Sequence, residues 1–106
     1  MAVPTMSVSA RLEGQELILT LIGDFDVHLY DEFNRAYSPY IDQVTHYKID
    51  FASVNYIDSA AIGLLLLLRQ KAQSHDAEIT LVNISPNLSD VFNIKQISEL
   101  FNFHYR

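Results

Sequence analysis

The stretch YIDSAAIGLLLLLRQ, Tyr56 to Gln70, decides how the rest of the chain is read. An Asp-Ser pair, Asp58-Ser59, stands between a strand-like apolar run and the longest apolar run in the sequence. Asp and Ser are favoured where a helix begins, because their oxygens accept backbone N–H groups that have no partner in the first turn. A helix is therefore predicted from about Ser59 to Ser74. Its first half is apolar on every side (Leu64 to Leu68), and its second half is polar (Arg69, Gln70, Lys71, Gln73). At about 100° per residue, five consecutive leucines point in every direction. Leu65 and Leu68 share one face, and Leu64, Leu67 and Lys71 lie near another. A helix lying on a sheet buries one stripe. Some leucines therefore face away from the sheet, toward another helix of this chain or as an apolar patch for a partner.

Upstream, Met6 to Leu12 alternates polar and apolar residues, as an edge strand does. Glu13-Gly14-Gln15 is a tight turn with Gly14 at positive φ, and Glu16 to Ile22 (ELILTLI) is a second strand, so the two form a hairpin. Gly23-Asp24-Phe25-Asp26 reads as the turn that ends it. From His28 to Tyr40, Leu29, Phe33, Ala36, Tyr37 and Tyr40 recur at helical spacing, with Pro39 blurring the end. Tyr47 to Phe51 (YKIDF) is a strand with Ile49 opposite in facing to Lys48 and Asp50, and residues 52–56 read as a loop. Beyond the central helix, Glu78 to Ile84 is a strand. Ser85 caps a short helix with Pro86 at its first position and Leu88, Val91 and Phe92 on its apolar face. Ile97 to Tyr105 reads as a short helix end followed by a fifth strand. Residues 1–5 are expected to be a flexible terminus and residues 6–106 one domain. The order ββαβαβα plus a terminal element predicts an α/β fold with a mixed sheet of four to five strands, parallel pairs and right-handed crossovers.

One domain is what 106 residues usually make, and 49% apolar residues suffice for a single core. The net charge of −6 speaks against nucleic acid, whose binding rests on a basic face, and against anionic membrane surfaces. It suits a protein partner carrying a basic patch. The absence of cysteine excludes disulfides, zinc-thiolate sites and thiol chemistry. MAVPTMSVSA has no basic segment followed by a long apolar run, and the apolar run Ala60 to Leu68 is nine residues against about 20 for a bilayer span. A cytoplasmic protein without membrane insertion is expected.

Chemistry concentrates at Asp58-Ser59. As plain structure the pair is a helix cap. As a functional site it is a hydroxyl that accepts a phosphate, which would find the same N–H donors and add about −1.5 to −2 charge beside Asp58. The four histidines, His28, His46, His75 and His104, show no ligand spacing, and Ser59 has no G-x-S-x-G setting. The three glycines, Gly14, Gly23 and Gly63, form no phosphate loop. Asp24, Asp26 and Asp58 read as solvated turn aspartates sooner than a magnesium cluster. No catalytic residue, metal or cofactor is expected.

Three motifs in order resemble the STAS domains, in particular the anti-sigma-factor antagonists of the sporulation type in bacteria. Gly23-Asp24-Phe25-Asp26 resembles the family's G-[ED]-[LF]-D turn. Ile57-Asp58-Ser59-Ala60-Ala61-Ile62-Gly63 resembles its D-[ST]-[SA]-G-[LI]-G phosphorylation motif. Val82-Asn83-Ile84-Ser85-Pro86, with Val91-Phe92 and Leu100-Phe101, resembles the late strand and closing helix. The resemblance spans about residues 6 to 105. It implies a single STAS-like domain with helices mainly on one face of the sheet. It also implies a partner switch in transcription control: the unphosphorylated domain binds a serine-kinase anti-sigma factor or related kinase regulator, the kinase phosphorylates Ser59 and the complex separates, and a PP2C-type phosphatase reverses this. By position, the resemblance makes Ser59 the phosphoacceptor, with Asp24, Asp26, Asp58, Ser59 and Ile62 at the partner surface. Ala61 departs from the motif, which usually has glycine there, and favours a more regular helical start. Two alternatives stand beside the switch: a constitutive subunit of a lipid-transport ABC complex, as in a related branch, and a small enzyme or nucleotide-hydrolysing domain.

Overall fold

The computed structural model describes residues 6–25, 30–92, 97 and 99–105. Strands β1 (Met6–Glu13) and β2 (Glu16–Phe25) form the expected antiparallel hairpin. Gly14 takes φ 62° as the first of two loop residues, the placement that a II′ hairpin turn requires. Helix α1 (Tyr30–Tyr37) runs into a 3-10 turn (Ser38–Tyr40) that accepts Pro39 in its first positions. Then follow β3 (His46–Ile57), α2 (Ser59–Gln73), β4 (Glu78–Ile84), α3 (Pro86–Phe92) and β5 (Asn102–Tyr105).

The sheet order is β1-β2-β3-β4-β5, with every pair after the hairpin parallel. Three successive crossovers step in the same direction, and crossovers of one hand then set all three helices on one face. Strand alternation agrees. Leu17, Leu19, Leu21, Tyr47, Ile49, Phe51, Ile79 and Leu81 are buried beneath Phe33, Tyr37, Leu65, Leu68, Leu88 and Phe92. The other face carries Arg11, Glu13, Glu16, Lys48 and Glu78, linked by surface pairs such as Lys48 to Glu16 at 3.8 Å. The edge strand β1 is partly shielded, because the Val8 N–H donates to Glu32 Oε1 of α1 at 3.4 Å.

Two expectations are corrected. Residues 23–25 continue β2, and residues 52–56 belong to β3 instead of forming a loop. The pairing absorbs irregularities between Thr20 and Ile22 and between Gly23 and Asp24, with Gly23 at φ 105°. Broken alternation in the sequence marked these as chain ends, whereas bulges let the parallel ladder go on. The Asp50 carboxylate supports the irregular stretch, accepting from Ala52 N–H at 2.9 Å and from Asn83 Nδ2 at 2.8 Å. The start of α1 at His28 and Leu29 lies outside the described residues.

Candidate functional site

The parallel strands deliver their carboxyl ends to one edge of the sheet, which is where α/β folds place their sites. There β2 ends at Phe25 and β3 at Ile57, and the Asp58 N–H donates to the Phe25 carbonyl at 3.3 Å. Asp58 is extended (φ −115°, ψ 179°), and its Oδ1 accepts the Ala61 N–H at 2.9 Å. Its carbonyl receives the first helical bond, from Ile62 N–H at 3.3 Å. Asp58 is therefore the N-cap of α2, and Ser59 is the first helical residue, not the cap. The Ser59 side chain is exposed and makes no hydrogen bond with the described residues. Ala61 is fully buried in ordinary helical geometry, so the regular helical start expected from alanine at that position is present.

The apolar run of α2 divides by angle. Leu64, Leu65 and Leu68 are buried with Ala61 and Ala72, whereas Ile62, Leu66 and Leu67 are half-buried, Ile62 and Leu66 packing in part against the core. Ile62 thus lies one turn from Ser59 on the flank of α2, with part of its surface against the core. Asp24 is half-buried and in register with Tyr56 across β2 and β3, within the same sheet edge as Asp58. The structure brings Asp24, Asp58, Ser59 and Ile62 to one end of the molecule; Asp26 lies outside the described residues.

Three residues at this end were not marked by the sequence reading. Ile22 (52% exposed), Tyr56 (53%) and Tyr30 (46%) are the exposed large hydrophobic residues among those described. Ile22 and Tyr56 sit on the helix-free face beside Asp24, and Tyr30 opens α1. The alternation of ELILTLI, followed to its last residue, puts Ile22 opposite in facing to Leu17, Leu19 and Leu21. Tyr56 was hidden by the reading of 52–56 as a loop.

Other titratable side chains belong elsewhere. His46 Nε2 lies 2.8 Å from Thr80 Oγ1 and His75 Nε2 lies 2.9 Å from Asp42 Oδ1, on separate parts of the surface. Among the described residues no group of three or more His, Asp or Glu side chains gathers as a metal site, and no helix is long and apolar enough to cross a membrane. The chemistry available at the start of α2 is that of an accessible serine hydroxyl on the first turn of the helix. The Ser59 and Ala60 N–H groups stand ahead of the Ala61 N–H, which is capped by the adjacent Asp58 carboxylate, and Asp24 lies at the same strand ends.

The sequence model of the STAS domain matches residues 7–106. A STAS-domain containing protein of Pseudomonas aeruginosa (strain UCBPP-PA14) is 36% identical over 89 residues, 84% of this chain and 88% of that protein. Among solved structures, the phosphorylated form of the Bacillus cell fate determinant SpoIIAA superposes with a TM-score of 0.73 at 20% identity, covering 92% of this chain and 90% of that one. An anti-sigma factor antagonist from Mycobacterium paratuberculosis superposes with a TM-score of 0.81 at 13% identity, covering 98% and 90%. The structural likenesses carry the fold, and the sequence match over almost the whole described chain carries the family: this protein belongs to the STAS domain family.

Proposed function

We propose that this STAS domain is a phosphorylation-controlled partner switch of the anti-sigma-factor-antagonist kind. One observation carries the reading: Asp58 does the capping, so Ser59 is left on the first turn with an exposed hydroxyl that makes no hydrogen bond with the described residues. SpoIIAA, of the same fold, has a phosphorylated form. With Ser59 unmodified, the end of the sheet bearing Asp24, Asp58 and Ile62 binds a serine-kinase anti-sigma factor or a related kinase regulator. The Ser59 hydroxyl oxygen then attacks the γ-phosphorus of ATP held by that partner. The bond to the bridging oxygen breaks, ADP leaves, and the hydroxyl proton passes to a base of the partner. The domain contributes the acceptor and no catalytic group. The phosphate adds about −1.5 to −2 charge next to Asp58, whose carboxylate already occupies the Ala61 N–H, and the partner is released. A PP2C-type phosphatase restores the switch by directing water onto phosphorus, freeing inorganic phosphate and the serine hydroxyl.

The test is intact mass and phosphosite mapping of the protein from its native cells, followed by binding of Ser59→Ala and Ser59→Asp to the kinase found. Ser59→Ala is expected to retain binding, and Ser59→Asp to weaken it at least about tenfold, or 1.4 kcal/mol. Equal binding by both, together with an unmodified Ser59 across growth conditions, would replace the switch by a permanent association such as that of a transporter subunit.

A further inference from the structure

Gly63 lies inside α2, one turn beyond Ser59, with its surface exposed and no positive φ to require glycine. A Cβ built on it meets no heavy atom within 4 Å. Glycine inside a helix costs stability relative to alanine, and no contact with the described residues explains its presence. Its placement is specific. At about 100° per residue, Ser59, Gly63 and Leu66 fall opposite the buried Ala61, Leu65 and Leu68, with Ile62 and Leu67 as shoulders. Helical side chains tilt toward the N-terminus, so any side chain at 63 would lie over the turn that holds Ser59. Glycine there leaves a notch with apolar sides directly below the hydroxyl.

We infer that Gly63 is a positioning residue for phosphoryl transfer to Ser59: its missing side chain lets a segment of the phosphoryl-donating protein lie close against α2 and bring the γ-phosphorus of ATP to the serine oxygen. The inference rests on the phosphoswitch reading above. The occupant is a protein segment with backbone or a small side chain at the notch, apolar contacts to Ile62 and Leu66, and a basic group facing the carboxylates. Charge supports that choice. The chain carries −6, Asp24 and Asp58 border this end, and α2 has no basic residue before Arg69.

The test compares wild type, Gly63→Ala and Gly63→Gln. Each purified chain is melted, then incubated with ATP and magnesium in an extract of native cells, and the initial rate of phosphate incorporation at Ser59 is read by mass. Both variants are expected to melt at or above the wild-type temperature, because both residues favour helix over glycine. The rate is expected to fall slightly in Gly63→Ala and at least tenfold in Gly63→Gln. A well-folded Gly63→Gln phosphorylated at the wild-type rate overturns the inference and leaves the switch standing. Wild type that takes up no phosphate at Ser59 in extracts from any growth condition overturns the switch, and this inference with it.

Discussion

Asp58 and Ser59 are adjacent, and either residue type suits a helix start, but they do different work. Asp58 holds the Ala61 N–H at 2.9 Å, while Ser59 projects from the first helical position. Asp58→Ala is therefore expected to cost about 1 kcal/mol, within a usual range of roughly 0.5–2 for lost caps. That is a fall in Tm of about 4–8 °C for a domain of this size. Asp58→Asn, which keeps an acceptor, should recover most of it. Ser59→Ala is expected to leave Tm nearly unchanged. If thermal melts gave the reverse order, with Ser59→Ala the damaging change, the serine would be structural and the argument for a free phosphoacceptor would lapse.

At the scale of the element, α2 explains why five leucines in a row need not signal a membrane or a wholly buried helix. The sheet claims Leu64, Leu65 and Leu68, and Leu66 and Leu67 remain half-buried. Leu65→Ala removes a fully buried side chain and is expected to cost about 2–5 kcal/mol. Leu67→Ala should cost about 1 kcal/mol or less, since alanine is the better helix former and little burial is lost. Denaturant melts of the pair check the assignment of faces, because similar losses would mean that the helix is rotated from its described orientation. The exposed parts of Leu66, Leu67 and Ile62 are then available to a partner.

At the scale of the whole molecule, one buried side-chain polar atom among the described residues is out of place. Tyr47 is fully buried, and its hydroxyl has no hydrogen-bond partner among the described residues. Burial, reinforced by Tyr37 and Asp42, pushes its pKa from 10.0 up to about 12. A folded-state value above the unfolded one gives stability that is complete below about pH 10 and is lost as pH rises to about 12, because only the unfolded chain ionises in that window. Tyr47→Phe is expected to match or exceed wild-type stability at pH 7, since no hydrogen bond is lost. Its urea midpoint should also fall less than that of wild type between pH 10 and 12. A Tyr47→Phe protein that is less stable at neutral pH would reveal a partner for the hydroxyl.

Much of this architecture was legible in the chain, for reasons that are local. Alternation in residues 6–22, helical spacing around Phe33 and Tyr37, and the polarity break at Asp58-Ser59 each reflect a single element burying one face. They yielded the hairpin, the helices and the start of α2 at Asp58-Ser59. What alternation could not show was that Gly23–Phe25 and residues 52–57 continue as strands. Parallel pairing between β2 and β3, with bulges and the Asp50 carboxylate bridging to Asn83, supplies hydrogen bonds that no local pattern encodes. The motif placed Asp58 and Ser59 together, but only the backbone geometry determined which one caps α2. Only the packed sheet determined which leucines face outward, and only that packing set Ile22 and Tyr56 beside Asp24. Local sequence determines which elements can form and what chemistry they carry. Which side of each element meets water depends on neighbours distant in the chain, and so belongs to the tertiary structure alone.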